Sequence, residues 1–548
     1  AKSLACLATL QPELAQRLHW PADGEHLFRD DHGQWTLCHR GTNFPATLCA
    51  EEIATACEEI DPAFDGTLLL FGVGLGELLS ALLERAPGAH IVAWERDPWM
   101  LRQALSLWDW THALESDRLR FAMHAELGPL VHDGLDGPRV LHPLLARVYT
   151  NERVLVQDGI QSRRAFVCTG TLFVDSLADA LREQGYSVMS LDVECLAEEE
   201  IDLALQCWQP ELVAGINSVH GLAEFCEERG VNYMCWEIDP AMDEPRALAF
   251  PSSRAHLYTY RQENIQAFRN AGYSQVEYLP LAADPNRRQP QVLDEGQLER
   301  YGARVSFVGA SLMRNVQAFT ESFLEQCAVW QAGSPERVRH VMRDLVIAQQ
   351  QDFSVYSLPD LLDKALPGFR AHSQSMGWSD PVLFLAEISA AEKRLNYMAC
   401  LREHGPVVWG DEGWSQLEAH GVRFNGPALH DTELPLIYSG STINVDIGRL
   451  YQNGIVTMRI FDILACGGFV LAEHSAALAE LFDLGVEIES YRSVQELQEK
   501  VQHYLAHPEQ AREIAQRGYH AVLARHTIRC RVQHMLAGFG EAERTAVA

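Results

Sequence analysis

The chain has 548 residues, with 47% hydrophobic and 22% charged side chains, as in globular proteins with a large core. At roughly 100–200 residues per domain, this length predicts about three domains. The formal net charge is −31. Proteins that bind nucleic acid usually carry a basic patch, and proteins anchored to membrane surfaces usually carry a basic face. We therefore expect neither partner.

The 13 cysteines are scattered singly and form no Cys-x-x-Cys pair. They therefore predict reduced, mostly buried thiols and no bound metal. No apolar run approaches the ~20 residues of a membrane helix. The first residues, Ala1–Leu4, do not begin a signal peptide with an apolar core and a small-residue cleavage site. These features predict a cytoplasmic protein without a membrane span.

The first clear pattern is a strand, a glycine-rich turn and a helix. Leu68–Phe71 is apolar enough for a buried strand, and the glycines of the following turn are Gly72, Gly74 and Gly76. Glycines permit positive φ and close approach of a ligand to the backbone and to the next helix N-terminus. The next strand ends at Glu95, an acid near the usual spacing for holding ribose hydroxyls. These four residues are therefore candidate ligand-binding residues.

This turn resembles motif I of S-adenosylmethionine methyltransferases more than a dinucleotide fingerprint, because Glu77 stands where the last glycine would be. Two departures weaken the methyltransferase interpretation. Phe71 replaces the usual acid at the strand end, and no Asn/Asp-Pro-Pro-Tyr type loop follows. Three alternatives remain: a domain used structurally or for acceptor docking, a domain that binds a nucleotide-like ligand, and an active methyltransferase.

Two further series of alternating strands and helices follow, which predicts parallel sheets of the α/β class. The second series begins near Arg164 and the third near Arg304. We predict an N-terminal Rossmann-like domain, a second domain and a C-terminal domain, at residues 1–160, 161–290 and 291–548. A mainly helical stretch at about 315–396 is too long for one crossover and is predicted to be an insertion in the third.

The most specific motif lies near the C-terminus. Arg459 and Asp462 stand at the start of a predicted helix that ends at Gly467-Gly468 before the next strand. Nucleotides bind at the carboxyl edge of doubly wound sheets, which such a helix start faces. The Asp462 carboxylate could accept hydrogen bonds from a ribose, and Arg459 could bind a diphosphate bidentately. The alternative is an ordinary αβ unit with a surface acid and a surface arginine.

The residues from Thr442 to about His526 resemble the C-terminal domain of CgeB-like proteins, a family of GT-B glycosyltransferases related to glycosyltransferase group 1. The family pattern R-x-F-E-x-x-A-C-G-G is matched here at Arg459, Phe461, Asp462, Ala465, Cys466, Gly467 and Gly468. Upstream segments are also placed as in that family: Trp236–Pro240, Tyr278–Pro285 and Phe307–Gly309. The resemblance covers roughly residues 160–540.

The resemblance implies two Rossmann-like domains in GT-B arrangement, with the N-terminal Rossmann-like domain added to them. It implies a UDP-, GDP- or TDP-linked sugar as donor, a protein or glycan acceptor, and no required metal. Arg459 is the first candidate for the leaving diphosphate and Arg314 the second. Backbone donors from Gly309 to Ser311 are candidates for its oxygens, and Asn444 matches the family on the preceding strand.

Two departures from the family pattern affect the site. Asp462 replaces a Glu at the ribose position and is one methylene shorter. Retaining relatives often carry a second Glu eight positions earlier, where this chain has Gly454. The stereochemical outcome of transfer is therefore not inherited from the resemblance.

The acceptor is expected to enter from residues 161–290. Asp239 follows a predicted strand and could deprotonate an acceptor hydroxyl, although an Asp-Pro pair also forms turns. His220, at another strand-to-helix turn, is a weaker candidate base. The sequence thus predicts a glycosyltransferase, with bacterial surface or appendage glycosylation suggested by analogy. Two alternatives remain: a methyltransferase with a sugar-binding appendage, and a catalytically inactive binding protein of GT-B fold.

Overall fold

A computed structural model describes residues 2–22, 26–39, 41–132, 137–170, 172–239, 245–330, 333–353, 355–452 and 454–547, with side chains through residue 539. Pro240, part of one family-like segment, lies outside the described residues. The chain divides into two compact units. The first comprises Ala1–Glu237, Leu248–Leu257 and Gly272–Gln275, and the second Ile238–Ala247, Tyr258–Ala271 and Val276–Ala548.

The first unit opens with elements that the sequence pattern did not predict. They are α1 (Lys2–Leu10), α2 (Pro12–Arg17), the antiparallel strands β1 (Leu27–Arg29), β2 (Trp35–His39) and β3 (Thr42–Pro45), and α3 (Ala50–Cys57). These strands have three to five residues, too few for a clear alternation of buried and exposed side chains.

A four-stranded parallel sheet follows, in the order β6-β5-β4-β7. Its elements are β4 (Thr67–Phe71), α4 (Glu77–Arg85), β5 (His90–Glu95), α5 (Pro98–Leu107), α6 (Thr111–Glu115), β6 (Leu119–Met123), α7 (Leu127–His132), β7 (Arg139–Leu141), α8 (Leu145–Val148) and α9 (Thr150–Asp158). Helix α5 ends at Leu107, and α6 begins at Thr111, whose N–H donates to the Asp109 side chain at 3.2 Å.

The next sheet has six strands in the order β13-β12-β11-β10-β8-β9. Its elements are β8 (Arg163–Cys168), α10 (Val174–Glu183), β9 (Tyr186–Leu191), α11 (Glu198–Trp208), β10 (Leu212–Ile216), α12 (Leu222–Glu228), β11 (Asn232–Glu237), β12 (Ser252–Thr259), α13 (Asn264–Asn270) and β13 (Tyr273–Tyr278). The parallel strands β8, β9, β10 and β11 are almost wholly buried, which explains their continuous apolar sequences.

The second unit contains a six-stranded parallel sheet in the order β16-β15-β14-β17-β18-β19. Its strands are β14 (Ala303–Val308), β15 (Val407–Trp409), β16 (Arg423–Phe424), β17 (Ser441–Val445), β18 (Val470–Glu473) and β19 (Glu489–Tyr491). Numbered from its own first strand, this is the order 3-2-1-4-5-6 of doubly wound nucleotide-binding sheets. The strand order reverses between β14 and β17, where such sheets bind ligands.

The helices of the second unit comprise an insertion after β14 and the helices that alternate with the later strands. They are α14 (Glu295–Tyr301), α15 (Met313–Val329), α16 (Pro335–Gln350), α17 (Leu358–Ala365), α18 (Phe369–Ser375), α19 (Pro381–Cys400), α20 (Leu434–Gly440), α21 (Met458–Ala465), α22 (Ala476–Leu481), α23 (Val494–Ala506), α24 (Pro508–Arg525) and α25 (Ile528–Val547). The predicted α/β class with parallel Rossmann-like sheets and a helical insertion is confirmed. Within the described part of the chain, no helix is both long and apolar enough to cross a membrane.

Candidate functional site

A cavity of about 430 Å³ opens in the second unit at the loops that follow the central strands. Gly309 and Ala310 follow β14, Asp411 follows β15, and the first turns of α21 contribute Arg459 and Asp462. This is the carboxyl edge of the sheet at the point where the strand order reverses, the usual ligand position in doubly wound folds. The structure therefore brings together three of the residues predicted from the sequence: Gly309, Arg459 and Asp462.

Arg394 of α19 also lines this cavity and is buried. Its Nη1 donates to the Ala310 carbonyl at 2.6 Å and its Nη2 to the Ile447 carbonyl at 3.3 Å. Its Nε is buried and has no hydrogen-bond partner among the described residues. Burial, together with Arg459 and Arg449, lowers the pKa of Arg394 to about 9. The cavity therefore holds converging positive charge that an anion would stabilise.

Arg459 approaches the same loop from α21. Its Nη1 contacts the Asp446 carboxylate, and its guanidinium lies 4.7 Å from the centre of the Phe307 ring. A Cβ placed on Gly309 would lie 2.7 Å from Arg459 Nη2, so a side chain there would displace the end of the arginine. The geometry positions one edge of the guanidinium against Asp446 and keeps it beside the loop after β14.

Asp462 is buried and paired, unlike the open carboxylate expected from the sequence. Arg288 Nε lies 3.0 Å from Asp462 Oδ2, and Arg288 Nη2 donates to His430 Nδ1 at 2.8 Å. Burial raises the pKa of Asp462, although Arg288 opposes that shift. Burial and Arg288 lower the pKa of His430, consistent with a neutral ring that accepts at Nδ1. A ribose at Asp462 would share the carboxylate with Arg288.

The loop after β14 uses most of its predicted phosphate donors internally. The Gly309 N–H donates to the Trp409 carbonyl at 2.9 Å, as part of the sheet. The Ser311 N–H donates to Asp411 Oδ2 at 2.9 Å, and its hydroxyl also contacts Asp411. The N–H groups of Ser311 and Gly309 thus have protein acceptors, which does not favour their predicted role as phosphate donors. Ala310 lies between them and lines the cavity. Its N–H donates to no acceptor among the described residues.

Asn444, also predicted to bind the ligand, uses its side-chain amide for hydrogen bonds within the protein. Its Nδ2 donates to the carbonyls of Tyr438 and Phe469, each at 3.2 Å, and its Oδ1 accepts from Ser306 Oγ at 2.8 Å. The side chain is buried. It joins β14, β17 and the start of β18, which gives it a structural role.

The remaining candidates of the two units do not line this cavity. Arg314 is exposed on the first turn of α15. Asp239 is exposed at a bend directly after Ile238, a cavity residue. His220 is exposed in the turn before α12, in the first unit. Their predicted roles in diphosphate binding and acceptor deprotonation stay predictions.

In the glycine turn of the first unit, backbone N–H groups donate hydrogen bonds to a side chain of the same unit. Glu95 Oε2 accepts from the N–H groups of Val73 and Gly74 at 2.9 and 3.1 Å. Glu95 Oε1 accepts from the Tyr149 hydroxyl and the Arg96 N–H at 2.5 and 2.9 Å. The carboxylate is buried, and burial with nearby Asp97 raises its pKa to about 7. Both Glu95 oxygens thus have protein donors, which does not favour the predicted role as a ribose ligand.

Side chains also fill the space beside the three glycines. A Cβ on Gly74 would lie 2.3 Å from His142 Nε2, and one on Gly72 would lie 2.9 Å from Leu145. A Cβ on Gly76 would lie 2.7 Å from both Trp108 and Trp110. All three have positive φ. The three glycines thus admit close side-chain packing, and their predicted role as a ligand cradle stays a prediction.

Gly454, which stands where retaining relatives carry a Glu, lies close to another acid. A Cβ there would be 2.9 Å from Glu263 Oε1, at the start of α13. A larger residue at this position would require the exposed Glu263 side chain to move. The chain therefore places a different acid beside the backbone before α21.

Sequence reasoning missed Arg394, Arg288 and His430. Arg394 is one of three charged residues, with Glu387 and Lys393, among the buried positions of α19. Charged residues on an otherwise buried helix are the signal that could have been used, because such groups are buried only when they are paired or functional. Arg288 follows the family-like segment Tyr278–Pro285, and no local pattern distinguishes it from other arginines.

The comparisons with known proteins place a family match over this region. Residues 383–537 match a family model described as glycosyl transferase-like. A search of curated proteins gives no significant match. The matched range contains Arg394, Arg459 and Asp462 of the cavity.

Solved structures of glycosyltransferases align over about two thirds of the chain. Sucrose-phosphate synthase from Thermosynechococcus elongatus is 11% identical, covering 70% of this chain and 99% of that one, with a TM-score of 0.41. A glycosyltransferase from Rickettsia africae is 8% identical, covering 69% and 98%, with a TM-score of 0.42. Anabaena Alr3699/HepE in complex with UDP-glucose is 10% identical, covering 69% and 99%, with a TM-score of 0.38.

All three TM-scores are below 0.5, so the fold assignment depends on the sheet topology described above. The CgeB-like subfamily and the methyltransferase-like character of the first residues stay predictions. Residues 383–537, which supply most of the charged groups of the cavity, are the part of the chain that is similar to this glycosyl transferase-like family.

Proposed function

We propose that the chain is a glycosyltransferase that moves a sugar from a nucleoside-diphosphate sugar to an acceptor hydroxyl. The observation that carries this proposal is the buried Arg394, which lines a cavity in the region similar to glycosyl transferases and whose Nε has no hydrogen-bond partner among the described residues. A diphosphate would supply both the negative charge and the acceptor that this group lacks.

In the proposed reaction the acceptor oxygen attacks the anomeric carbon while the bond from that carbon to the diphosphate oxygen breaks. The nucleoside diphosphate leaves with the electron pair, and the acceptor proton passes to a base, for which Asp239 remains the candidate. Arg394 and Arg459 stabilise the developing charge on the leaving oxygen. Because arginines supply this charge, the proposed transfer needs no metal ion.

Asp462 is the proposed ribose ligand of the donor, in competition with Arg288. A carboxylate already held by an arginine can accept hydroxyl hydrogen bonds at its remaining lone pairs. These contacts do not select a particular nucleobase, donor sugar or acceptor. By analogy with the family, we also propose a protein or glycan acceptor, a cytoplasmic location and a role in bacterial surface glycosylation.

A thermal-shift series with UDP, GDP and TDP tests the proposal, since a ligand that binds only the folded state raises the melting temperature. The ligand that stabilises the protein is then titrated by calorimetry into Asp462→Ala and Arg459→Ala. We expect weaker binding in both variants. Unchanged affinity in both would refute the assigned site. If the protein binds the nucleoside diphosphate but neither transfers nor hydrolyses the matching sugar donor, the alternative of a catalytically inactive binding protein is favoured.

A further inference from the structure

A second cavity, of about 310 Å³, lies within the first unit and gathers potential metal ligands that are distant in sequence. His26, Asp192 and Cys195 line it, and one ligand atom of each lies within 4.8 Å of the other two. No other group of this kind occurs in the described part of the chain. It is separate from the closed glycine turn and from the cavity of the second unit.

Two short segments hold these side chains. Asp192 and Cys195 belong to one turn after β9, in which the Cys195 N–H donates to Asp192 Oδ1 at 3.2 Å and the Leu196 N–H to the Asp192 carbonyl at 3.1 Å. An antiparallel bridge between Ala22 and Leu196 joins the segment before β1 to this turn. His26 immediately precedes β1. This bridge lies four residues before His26, whose Nε2 contacts Cys195 Sγ.

The distances suit a tetrahedral ion. Cys195 Sγ lies 3.4 Å from His26 Nε2. Around a tetrahedral Zn²⁺ with ordinary bond lengths, a sulfur and an imidazole nitrogen are separated by about 3.5 Å. One nitrogen, one sulfur and one carboxylate oxygen form a donor set that favours Zn²⁺ over Mg²⁺ or Ca²⁺, which prefer oxygen ligands alone.

We propose that His26, Asp192 and Cys195 bind one Zn²⁺ ion whose fourth coordination position faces the cavity of the first unit. Three protein ligands with an exchangeable fourth position are the arrangement of zinc sites that bind small ligands or activate water. The expectation of no metal considered only neighbouring cysteines. It could not detect ligands separated by 166 positions in the sequence, from residue 26 to residue 192. This proposal is independent of the glycosyl-transfer proposal.

Cobalt substitution tests the site without an activity assay. The metal-stripped full-length protein is titrated with Co²⁺, followed by its visible bands and by the thiolate-to-cobalt charge-transfer band. We expect one equivalent to bind, with the charge-transfer band lost in Cys195→Ser and retained in the control Cys49→Ser, which changes an exposed cysteine of the same unit. Asp192→Asn and His26→Gln are expected to weaken binding by about tenfold or more.

The outcomes separate the alternatives clearly. Absence of the charge-transfer band in the wild-type protein, or its persistence in Cys195→Ser, would overturn the proposal. If Cys195→Ser fails to fold, loss of Co²⁺ affinity in His26→Gln with an unchanged melting temperature of the metal-free protein would support it instead. Azide should alter the visible cobalt bands. An unaltered spectrum would contradict the open fourth position.

Discussion

Arg288 and Asp462 form a buried ion pair in the second unit, with Nε 3.0 Å from Oδ2 and side chains only 5% and 6% exposed. Removing one partner of such a pair leaves an uncompensated buried charge, which commonly costs about 3–5 kcal/mol. This pair therefore links the stability of the unit to the carboxylate proposed to hold the ribose.

We predict that Arg288→Met destabilises the protein by several kcal/mol, whereas the neighbouring Arg287→Met has little effect. Arg287 is 41% exposed, and its nearest acids lie at 3.6 and 3.7 Å, so its ion pairs are weak. Calorimetric melting of both variants checks the prediction. Equal losses, or a loss confined to Arg287→Met, would show that the buried pair contributes little.

Acid should destabilise the protein through buried neutral histidines, of which His526 is the clearest case. Burial, reinforced by Arg531, lowers the pKa of His526 to about 4. The ring Nδ1 receives a hydrogen bond from Arg531 Nη2 at 3.0 Å, and Nε2 lies 3.1 Å from the Leu481 carbonyl. The folded protein thus favours the neutral ring, with a proton on Nε2.

Because the folded pKa lies below the ordinary value of about 6.5, the stabilisation is complete above pH 6.5. It decreases as the pH falls toward 4, by at most about 1.4 kcal/mol per pH unit for one group. His526→Gln should reduce the loss of melting temperature between pH 7 and pH 5. His534→Gln, at a half-exposed ring paired with Glu277, serves as the control. An unchanged pH dependence in His526→Gln would contradict the assignment.

The strands were largely predictable from the sequence, whereas the charged side chains around the cavity were not. The predicted strand Leu68–Phe71 differs from β4 (Thr67–Phe71) by one residue at its start, because a short apolar run between turn residues has few alternatives. Arg288 and Asp462 meet only through the fold, and nothing in the local pattern of either predicts the contact. Glu95 was correctly placed at a strand end, but Tyr149, far along the chain, uses its carboxylate.

The first unit is not expected to bind S-adenosylmethionine at the glycine turn. His142 occupies the space beside the turn, and Glu95 accepts hydrogen bonds from its N–H groups. We predict no thermal shift with the cofactor. Glu95→Gln should lower the stability by about 1–3 kcal/mol, since an amide NH₂ would replace an oxygen that accepts hydrogen bonds. Micromolar binding coupled to release of S-adenosylhomocysteine with any acceptor would overturn this prediction.

Donor hydrolysis or transfer is expected to proceed in EDTA at a rate within about twofold of that with Mg²⁺, because arginine side chains provide the charge for the leaving diphosphate. No Asp-x-Asp pair follows a strand between residues 300 and 480, so the sequence offers no obvious pair of magnesium carboxylates there. Activity that disappears in EDTA and returns with Mn²⁺ would contradict a metal-independent transfer.

Calorimetric titration of Arg394→Gln with the nucleoside diphosphate that binds the wild-type protein tests the central claim most directly. A charge-assisted hydrogen bond to a phosphate oxygen predicts an affinity loss of about tenfold or more, with an intermediate loss in Arg394→Lys, which keeps the charge but not the planar fork. The exposed Arg339→Gln, on α16, should bind as the wild type does. Full affinity in a folded Arg394→Gln variant would contradict the proposal that this cavity binds the donor diphosphate.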